Sequence, residues 1–282
     1  MSAIHHLARP IPEAERNARL YAGTILVFRG FPEVARLVDC LAAHCREHLG
    51  DDPESVHERM SEAAVNEAAE ALRQAVLRDP VAGERLNAAF EAIGMDPDAN
   101  YGDGLKQRVQ MANSATGGRM VAPLGAHRDT WGSNVMAQVN WWAPVFPTTP
   151  ERTIALFPTR FSQPVANDSE GWDFAELVRR LREQGPDPDY PLLPLATETL
   201  PAAEALPISL VPGDLMCFSG AHLHASVPNT TDRTRLSFET RTVTAADVEA
   251  GRGAPNVDGA AVRTTYQMFR RLTDRERLAD MA

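Results

Sequence analysis

Two segments of the chain hold residue types that can do chemistry. The first, GAHRDTWGSN, places His127 two residues before Asp129. The second, GDLMCFSGAHLHASVPNTTDRTRLSFETR, holds His222 and His224, with Arg235 at the start of its last apolar run. Two imidazoles and one carboxylate on one face hold a divalent iron and leave coordination positions open. A His-x-Asp pair alone decides nothing, since 8 His and 18 Asp in 282 residues give about 0.5 such pairs by chance. Side chains two apart on a strand point the same way. His127 and Asp129 are therefore expected at the end of one strand, with a third ligand delivered from elsewhere in the chain.

The elements that must position these residues read as helices first and strands afterwards. Leu20–Phe28 reads as a first strand. Pro32–Leu49 reads as a helix, with Val34, Leu37, Val38, Leu41 and Cys45 at helical spacing and Pro32 in its first turn. The Ala/Glu/Leu/Arg-rich stretch Pro53–Ile93 predicts two or three helices broken near Asp79-Pro80. From Lys106 onward, short apolar or alternating runs are separated by Gly, Pro, Asn and Asp. They are Lys106–Ala112, Asn134–Ala143, Thr153–Pro158, Ile208–Leu210, Leu215–Phe218 and Arg235–Val243. Such spacing predicts a sandwich, jelly roll or barrel. A helix is expected at Asp173–Glu183 and another at Asp274–Met281. The loop Pro158–Gly171 reads as a lid. No linker divides the chain, so residues 1–282 are expected to form one domain. Its N-terminal strand and helices span about 20–100, its barrel core about 106–243 and a C-terminal extension 244–282.

The run H-A-S-V-P-N-T-T-D-R-T-R, beginning at His224, resembles the distal histidine segment of the phytanoyl-CoA dioxygenase-like branch of the iron(II)/2-oxoglutarate oxygenases. There a histidine precedes a Pro-Asn turn, an Asp-Arg pair and an arginine. The resemblance covers roughly Lys106–Val243. It implies a mainly β fold with flanking helices, a double-stranded β-helix (jelly-roll or cupin-like barrel). It implies His127, Asp129 and His224 as iron ligands and catalytic centre, with Arg235 as the clamp for the distal carboxylate of 2-oxoglutarate. An arginine suits that task because its fork grips a carboxylate through two bonds. The cofactors implied are Fe(II), 2-oxoglutarate and O2. The activity implied is hydroxylation, desaturation or cyclisation at an unactivated C–H bond of a small molecule, an amino acid or natural-product intermediate. Succinate and CO2 are the co-products. Residue 128 is Arg where many members have Gln, which points away from a CoA thioester. Asp129 is a carboxylate, which points away from halogenation.

Around this core, Gln138 and Asn140 alternate with apolar residues, and two buried amides need partners, so both are expected at the co-substrate. Ser237 shares the Arg235 side of its strand and adds a further candidate. Arg128, Trp131, Asn134 and Arg160 are candidate substrate contacts. His222 competes with His224 as ligand, with the Pro-Asn turn and the spacing to Arg235 favouring His224. His44 and His48 stand at i, i+4 on the first long helix, where a solvated face is the better account. Two other readings stay open: a cupin-like metal enzyme that does not use 2-oxoglutarate, and a non-catalytic small-molecule-binding barrel.

Composition narrows the partners. A net charge of -10 disfavours nucleic acid and anionic membrane surfaces. Three cysteines do not form a disulfide framework. The N-terminal stretch has no apolar core of signal-peptide length. The expectation is a cytoplasmic protein acting on a small molecule.

Overall fold

The computed structural model describes residues 4–112, 121–185 and 188–278. Its strands are β1 (Ile4–Leu7), β2 (Ile25–Phe28), β3 (Asn100–Gly102), β4 (Lys106–Gln110), β5 (Val139–Pro144) and β6 (Ile154–Leu156). They continue with β7 (Leu206–Ile208), β8 (Leu215–Ser219), β9 (His224–Ser226), β10 (Arg235–Thr244) and β11 (Arg270–Arg271). The helices are α1 (Glu13–Tyr21), α2 (Pro32–Leu49), α3 (Glu62–Arg78), α4 (Pro80–Ala92), α5 (Asp129–Ser133), α6 (Phe174–Gln184) and α7 (Ala245–Glu249).

Helix α2 matches its predicted span, with Pro32 in the first turn. Asp79 ends α3 and caps α4, where its side chain accepts from Val81 N; Pro80 then needs no donor. Several expectations change. Residues 20–24 close α1 and form a turn, so the first strand of that region is only Ile25–Phe28. The tail at 272–277 forms turns and an isolated bridge rather than a helix, and 279–282 lie outside the described residues. Asp129 opens α5 instead of ending a strand.

The strands form two sheets. The larger runs β1-β2-β8-β5-β10-β3-β11, with β4 also on β10; the smaller runs β7-β6-β9. Strand β10 is long enough to pair with β4 through Arg235–Glu239 and with β3 through Thr242–Thr244. No ladder joins the two sheets among the described residues, so they form a layered mainly β fold rather than a closed barrel. Leu26, Trp141, Cys217 and Phe238 on one face of the large sheet pack against α2, α3 and α4 through Leu37, Leu41, Leu72 and Phe90. The Phe90 and Trp141 ring centroids lie 4.8 Å apart. Val27, Trp142, Met216 and Phe218 on the other face meet Ile154, Leu156 and Ile208 of the small sheet. The candidate site opens at one side of this second interface.

Candidate metal and co-substrate site

His127 and His224 face each other at the β9 edge of the small sheet as a hydrogen-bonded antiparallel pair. His127 N donates to His224 O (2.9 Å) and His224 N donates to His127 O (3.0 Å). Directly opposed residues share a side of the sheet, and the two imidazole centroids are 4.2 Å apart. Each ring is turned by a carbonyl near in sequence. His127 Nδ1 donates to Gly125 O (2.8 Å) and His224 Nδ1 to His222 O (3.0 Å). A carbonyl only accepts, so Nδ1 carries the proton and Nε2 keeps its lone pair, the tautomer a metal needs.

Asp129 enters as the first residue of α5, two positions after His127. Its Oδ2 lies 3.7 Å from His224 Nε2. The donor atoms of His127, Asp129 and His224 all lie within 4.8 Å of one another. Two free imidazole lone pairs and one carboxylate make a donor set that fits iron(II). The carboxylate is tightly held: Arg241 pairs with Oδ1 at 2.9 Å, and Asn140 Nδ2 donates to Oδ2. Gln138 Nε2 in turn donates to Asn140 Oδ1 at 2.8 Å. Burial works to raise the Asp129 carboxyl, but Arg241, the two histidines and Asn140 outweigh it and hold its pKa at about 2. Burial and the neighbouring His224 push His127 down to about 3, so this imidazole is neutral at physiological pH.

Strand β10 builds the rest. Its inward positions are Arg235, Ser237, Glu239 and Arg241, in register opposite Gln110, Arg108 and Lys106 of β4 and Pro144, Trp142 and Asn140 of β5. Arg235 is 3% exposed and donates from one terminal nitrogen to Thr153 O (2.5 Å). Its Nε has no partner, and no carboxylate pairs with it among the described residues. Burial and then Arg108 pull its pKa down to about 9. The buried Ser237 Oγ, two residues along, is also unpartnered. A buried guanidinium without an anion is costly. With an open hydroxyl beside it, it fits a carboxylate ligand.

Arg235 and the three candidate ligands line one cavity of about 180 Å³. Trp142, Trp172, Phe174, Leu192, Leu193 and Phe218 form its apolar wall. Glu239 also faces it, and no hydrogen bond or ion pair engages that carboxylate among the described residues.

The structure distributes the other candidates unevenly. Asn140 lines the cavity, while Gln138 stands behind it as support for Asn140. Arg128 borders the cavity but its guanidinium is turned away. It pairs with Asp258 (3.0 Å) and donates to the carbonyls of Ala221, Arg160 and Gln163. Trp131 is fully buried and donates to the same Asp258 (2.7 Å). Asn134, in the left-handed region, donates to Thr264 Oγ1, and Arg160 pairs with Glu204 at 2.5 Å. None of these last three lines the cavity. The lid expected at Pro158–Gly171 is tied down: Asp258 accepts from Val165 N (3.0 Å) as well as from Arg128 and Trp131. His222 is buried, with both ring nitrogens on backbone carbonyls of Ser219 and Gly23 at 3.2 Å. Its service to the site is through its own carbonyl, which orients His224.

Arg241, Arg108 and Glu239 were not singled out from sequence. The alternation that pairs Ser237 with Arg235 extends directly to Glu239 and Arg241, so the signal for those two was present in the strand. Arg108 needed the β4–β10 register.

No protein-family model matches the chain, and no curated protein matches it. Solved structures are similar at low identity. EvdO2 from Micromonospora carbonacea var. aurantiaca is 12% identical, with a TM-score of 0.49 over 85% of this chain and 94% of that one. The non-heme monooxygenase ThoJ is 17% identical, with a TM-score of 0.44 over 75% of this chain and 70% of that one. The non-heme alpha ketoglutarate dependent carbocyclase SnoK from nogalamycin biosynthesis is 15% identical, with a TM-score of 0.43 over 92% and 98%.

Proposed function

We propose that the chain is a single-domain iron(II)- and 2-oxoglutarate-dependent oxygenase acting on a small molecule. The reaction is hydroxylation, or desaturation or ring closure, at an unactivated C–H bond. One observation carries this reading. A cluster of two Nε2 lone pairs and a carboxylate shares its cavity with a buried guanidinium that has no anionic partner among the described residues. The strand order supports it. β4-β10-β5-β8 in one sheet faces the His127 segment, β9, β6 and β7 in the other. The chain visits the sheets as β4, His127, β5, β6, β7, β8, β9, β10, the winding of a double-stranded β-helix.

In this reading His127, Asp129 and His224 hold the iron. Arg235 and Ser237 grip the distal carboxylate of 2-oxoglutarate. Iron, 2-oxoglutarate and O2 together supply an oxidant for C–H bonds, with succinate and CO2 as co-products. The residues supply orientation. Arg241 and Asn140 fix the Asp129 oxygens, and the carbonyls of Gly125 and His222 fix the imidazoles. The aromatic and leucine wall excludes water and receives the apolar body of a substrate. The arginines expected to greet an acidic substrate, Arg128 and Arg160, are engaged elsewhere, so a carboxylate on the substrate is not a requirement. Among the described residues, no helix is long and apolar enough to cross a membrane. The free cysteines support a cytoplasmic enzyme, and the acidic charge supports one without nucleic-acid or anionic membrane partners.

The test is anaerobic absorbance of the protein with iron(II), before and after addition of 2-oxoglutarate. A visible charge-transfer band that appears only with 2-oxoglutarate is expected. It should disappear in His224→Ala, which loses iron. It should also disappear in Arg235→Ala, which keeps iron but binds the co-substrate about 2–5 kcal/mol more weakly. Iron bound without the band would instead indicate a cupin-like metal enzyme. Failure to bind iron would leave a small-molecule-binding barrel.

A further inference from the structure

A second group of metal-ligating side chains lies in the helical layer, on the far side of the large sheet from the cavity. Cys40 and His44 are one turn apart on α2, so they share a face. Asp79, the residue joining α3 to α4, is brought against them. The three donor atoms lie within 4.8 Å of one another, and all three residues are partly exposed.

The site is prepared in three respects. Asp79 Oδ1 accepts from Val81 N (2.9 Å) as the α4 cap, which leaves Oδ2 aimed at His44 Nε2, 2.8 Å away. His44 Nδ1 has no hydrogen-bond partner among the described residues, and the Glu47 carboxylate lies 4.0 Å from it, so this nitrogen is free to carry the ring proton. Desolvation and then the Asp79 charge raise the Cys40 thiol's pKa. Thiol and carboxylate therefore stand close enough to compete for positive charge. Proximity of thiolate, imidazole and carboxylate is what a borderline-soft divalent ion selects, and partial exposure leaves room for water as a fourth ligand.

We propose that Cys40, His44 and Asp79 form a second metal site, of the zinc class, separate from the iron site. Binding releases the thiol proton of Cys40 to solvent and moves the ring proton of His44 from Nε2 to Nδ1, so that thiolate and Nε2 lone pair both bond to the cation. No redox change is involved. The ion cross-links α2 to the α3–α4 junction, which packs against the large sheet. The single negative charge of Asp79 becomes part of a near-neutral cluster.

Cobalt(II) chloride is the probe, because a thiolate bound to cobalt gives a near-ultraviolet charge-transfer band that nitrogen and oxygen ligands do not. Cys45 and Cys217 are fully buried, so Cys40 is the thiol that cobalt can reach. Titration of the full chain should give a saturable sulfur–cobalt band. It should vanish in Cys40→Ser and persist in His224→Ala, which separates this site from the iron site. In Asp79→Asn the cap is kept, since asparagine caps as well as aspartate, and cobalt affinity should fall at least tenfold. Zinc should slow alkylation of Cys40 by iodoacetamide at least tenfold in the wild type. Absence of the band, its survival in Cys40→Ser, or alkylation unaffected by zinc would each overturn the proposal. None of these outcomes depends on whether the cavity binds iron or 2-oxoglutarate.

Discussion

The two faces of the large sheet are made from the same strands and do opposite work. On β5, Trp141 lies against the helices with Phe28 and Phe90, while the next residue, Trp142, lines the cavity. On β10, Leu236 and Phe238 enter the helical core, while Arg235, Ser237, Glu239 and Arg241 turn inward. A period of two lets one strand carry a dry face and a charged face without compromise. The outer face is held by area removed from water. The inner face is held by charges that answer one another, except that Arg235 Nε, Ser237 Oγ and the Glu239 carboxylate have no hydrogen-bond or ion-pair partner among the described residues. That gap supports the proposed place of the co-substrate carboxylate more sharply than the shape of the cavity does.

The sharpest way to separate the faces is a matched pair of substitutions. Asp129→Ala should weaken iron(II) binding by more than the roughly 10–100-fold typical of losing a group behind a ligand. Its thermal stability in the absence of metal should change little. Phe238→Ala, on the face packed against the helices, should do the reverse. It empties a fully buried ring site and should cost about 3–5 kcal/mol of stability, while iron affinity stays within a few-fold. Denaturant unfolding and metal titration of both variants read the two effects. A Phe238→Ala protein that folds normally but loses iron would show that the faces are not independent.

Asp258→Ala tests whether the region behind the His127–Asp129 motif belongs to structure or to chemistry. Arg128 is 1% exposed and lies between two candidate ligands in sequence, and Asp258 is its anionic partner. Removing that carboxylate leaves a buried cation unpaired, and about 3–5 kcal/mol should be lost. It also frees Trp131 Nε1 and Val165 N, so the Pro158–Gly171 loop should become susceptible to proteolysis. Full stability in this variant would return Arg128 to the role of a substrate contact.

The sequence made the period-two pattern visible, and with it Asn140, Ser237 and the apolar partners of both. It also made α2 visible, because five apolar residues repeat at helical spacing over a long stretch. What stayed hidden depends on contacts between distant residues. Arg128 and Trp131 stand in or beside the His127–Asp129 motif, and Arg160 stands in the Pro158–Gly171 loop. Their polar groups are consumed by Asp258 and Glu204, more than forty residues away in each case. Spacing within a motif cannot reveal that a neighbour's charge is already spent. Asp129 as a helix residue was hidden for a related reason. Helix α5 is only five residues long, too short for a periodic signal, and its first turn is fixed by Thr130 N donating to Gly220 O (3.3 Å) across the chain. The helix expected at 274–281 rested on propensity, and the described part of that tail instead bridges Arg270 to Arg277.

Arg241→Met addresses the inner face itself. The guanidinium pairs with Asp129 Oδ1 and with Asp103 at 3.3 Å. Without it the Asp129 carboxylate, a proposed iron ligand, loses its fixed orientation, and iron affinity should fall about 10–100-fold. Arg241→Lys should recover only part, since a single ammonium does not bridge two carboxylates as a fork does. An unchanged metal affinity in Arg241→Met would leave Asn140 as the sole support that matters.

The smallest expected effect is the most diagnostic of where a bound co-substrate runs. Glu239 stands two residues from Ser237 and two from Arg241 on the same face of β10, between the proposed carboxylate clamp and the proposed iron. A dianion spanning those points passes a like charge. Arg235 and Arg241 both feel Glu239, which softens that repulsion without removing it. Glu239→Gln keeps the shape and deletes the charge, so 2-oxoglutarate should bind more tightly, by about 1 kcal/mol or less at the effective dielectric of a partly exposed site. Iron affinity without co-substrate should stay the same. Calorimetric titration of the iron-loaded variant under nitrogen reads the difference directly. Weaker binding of 2-oxoglutarate would mean that Glu239 acts by holding Arg235 or Arg108 in place. No change would put its carboxylate at the mouth of the cavity, facing the substrate.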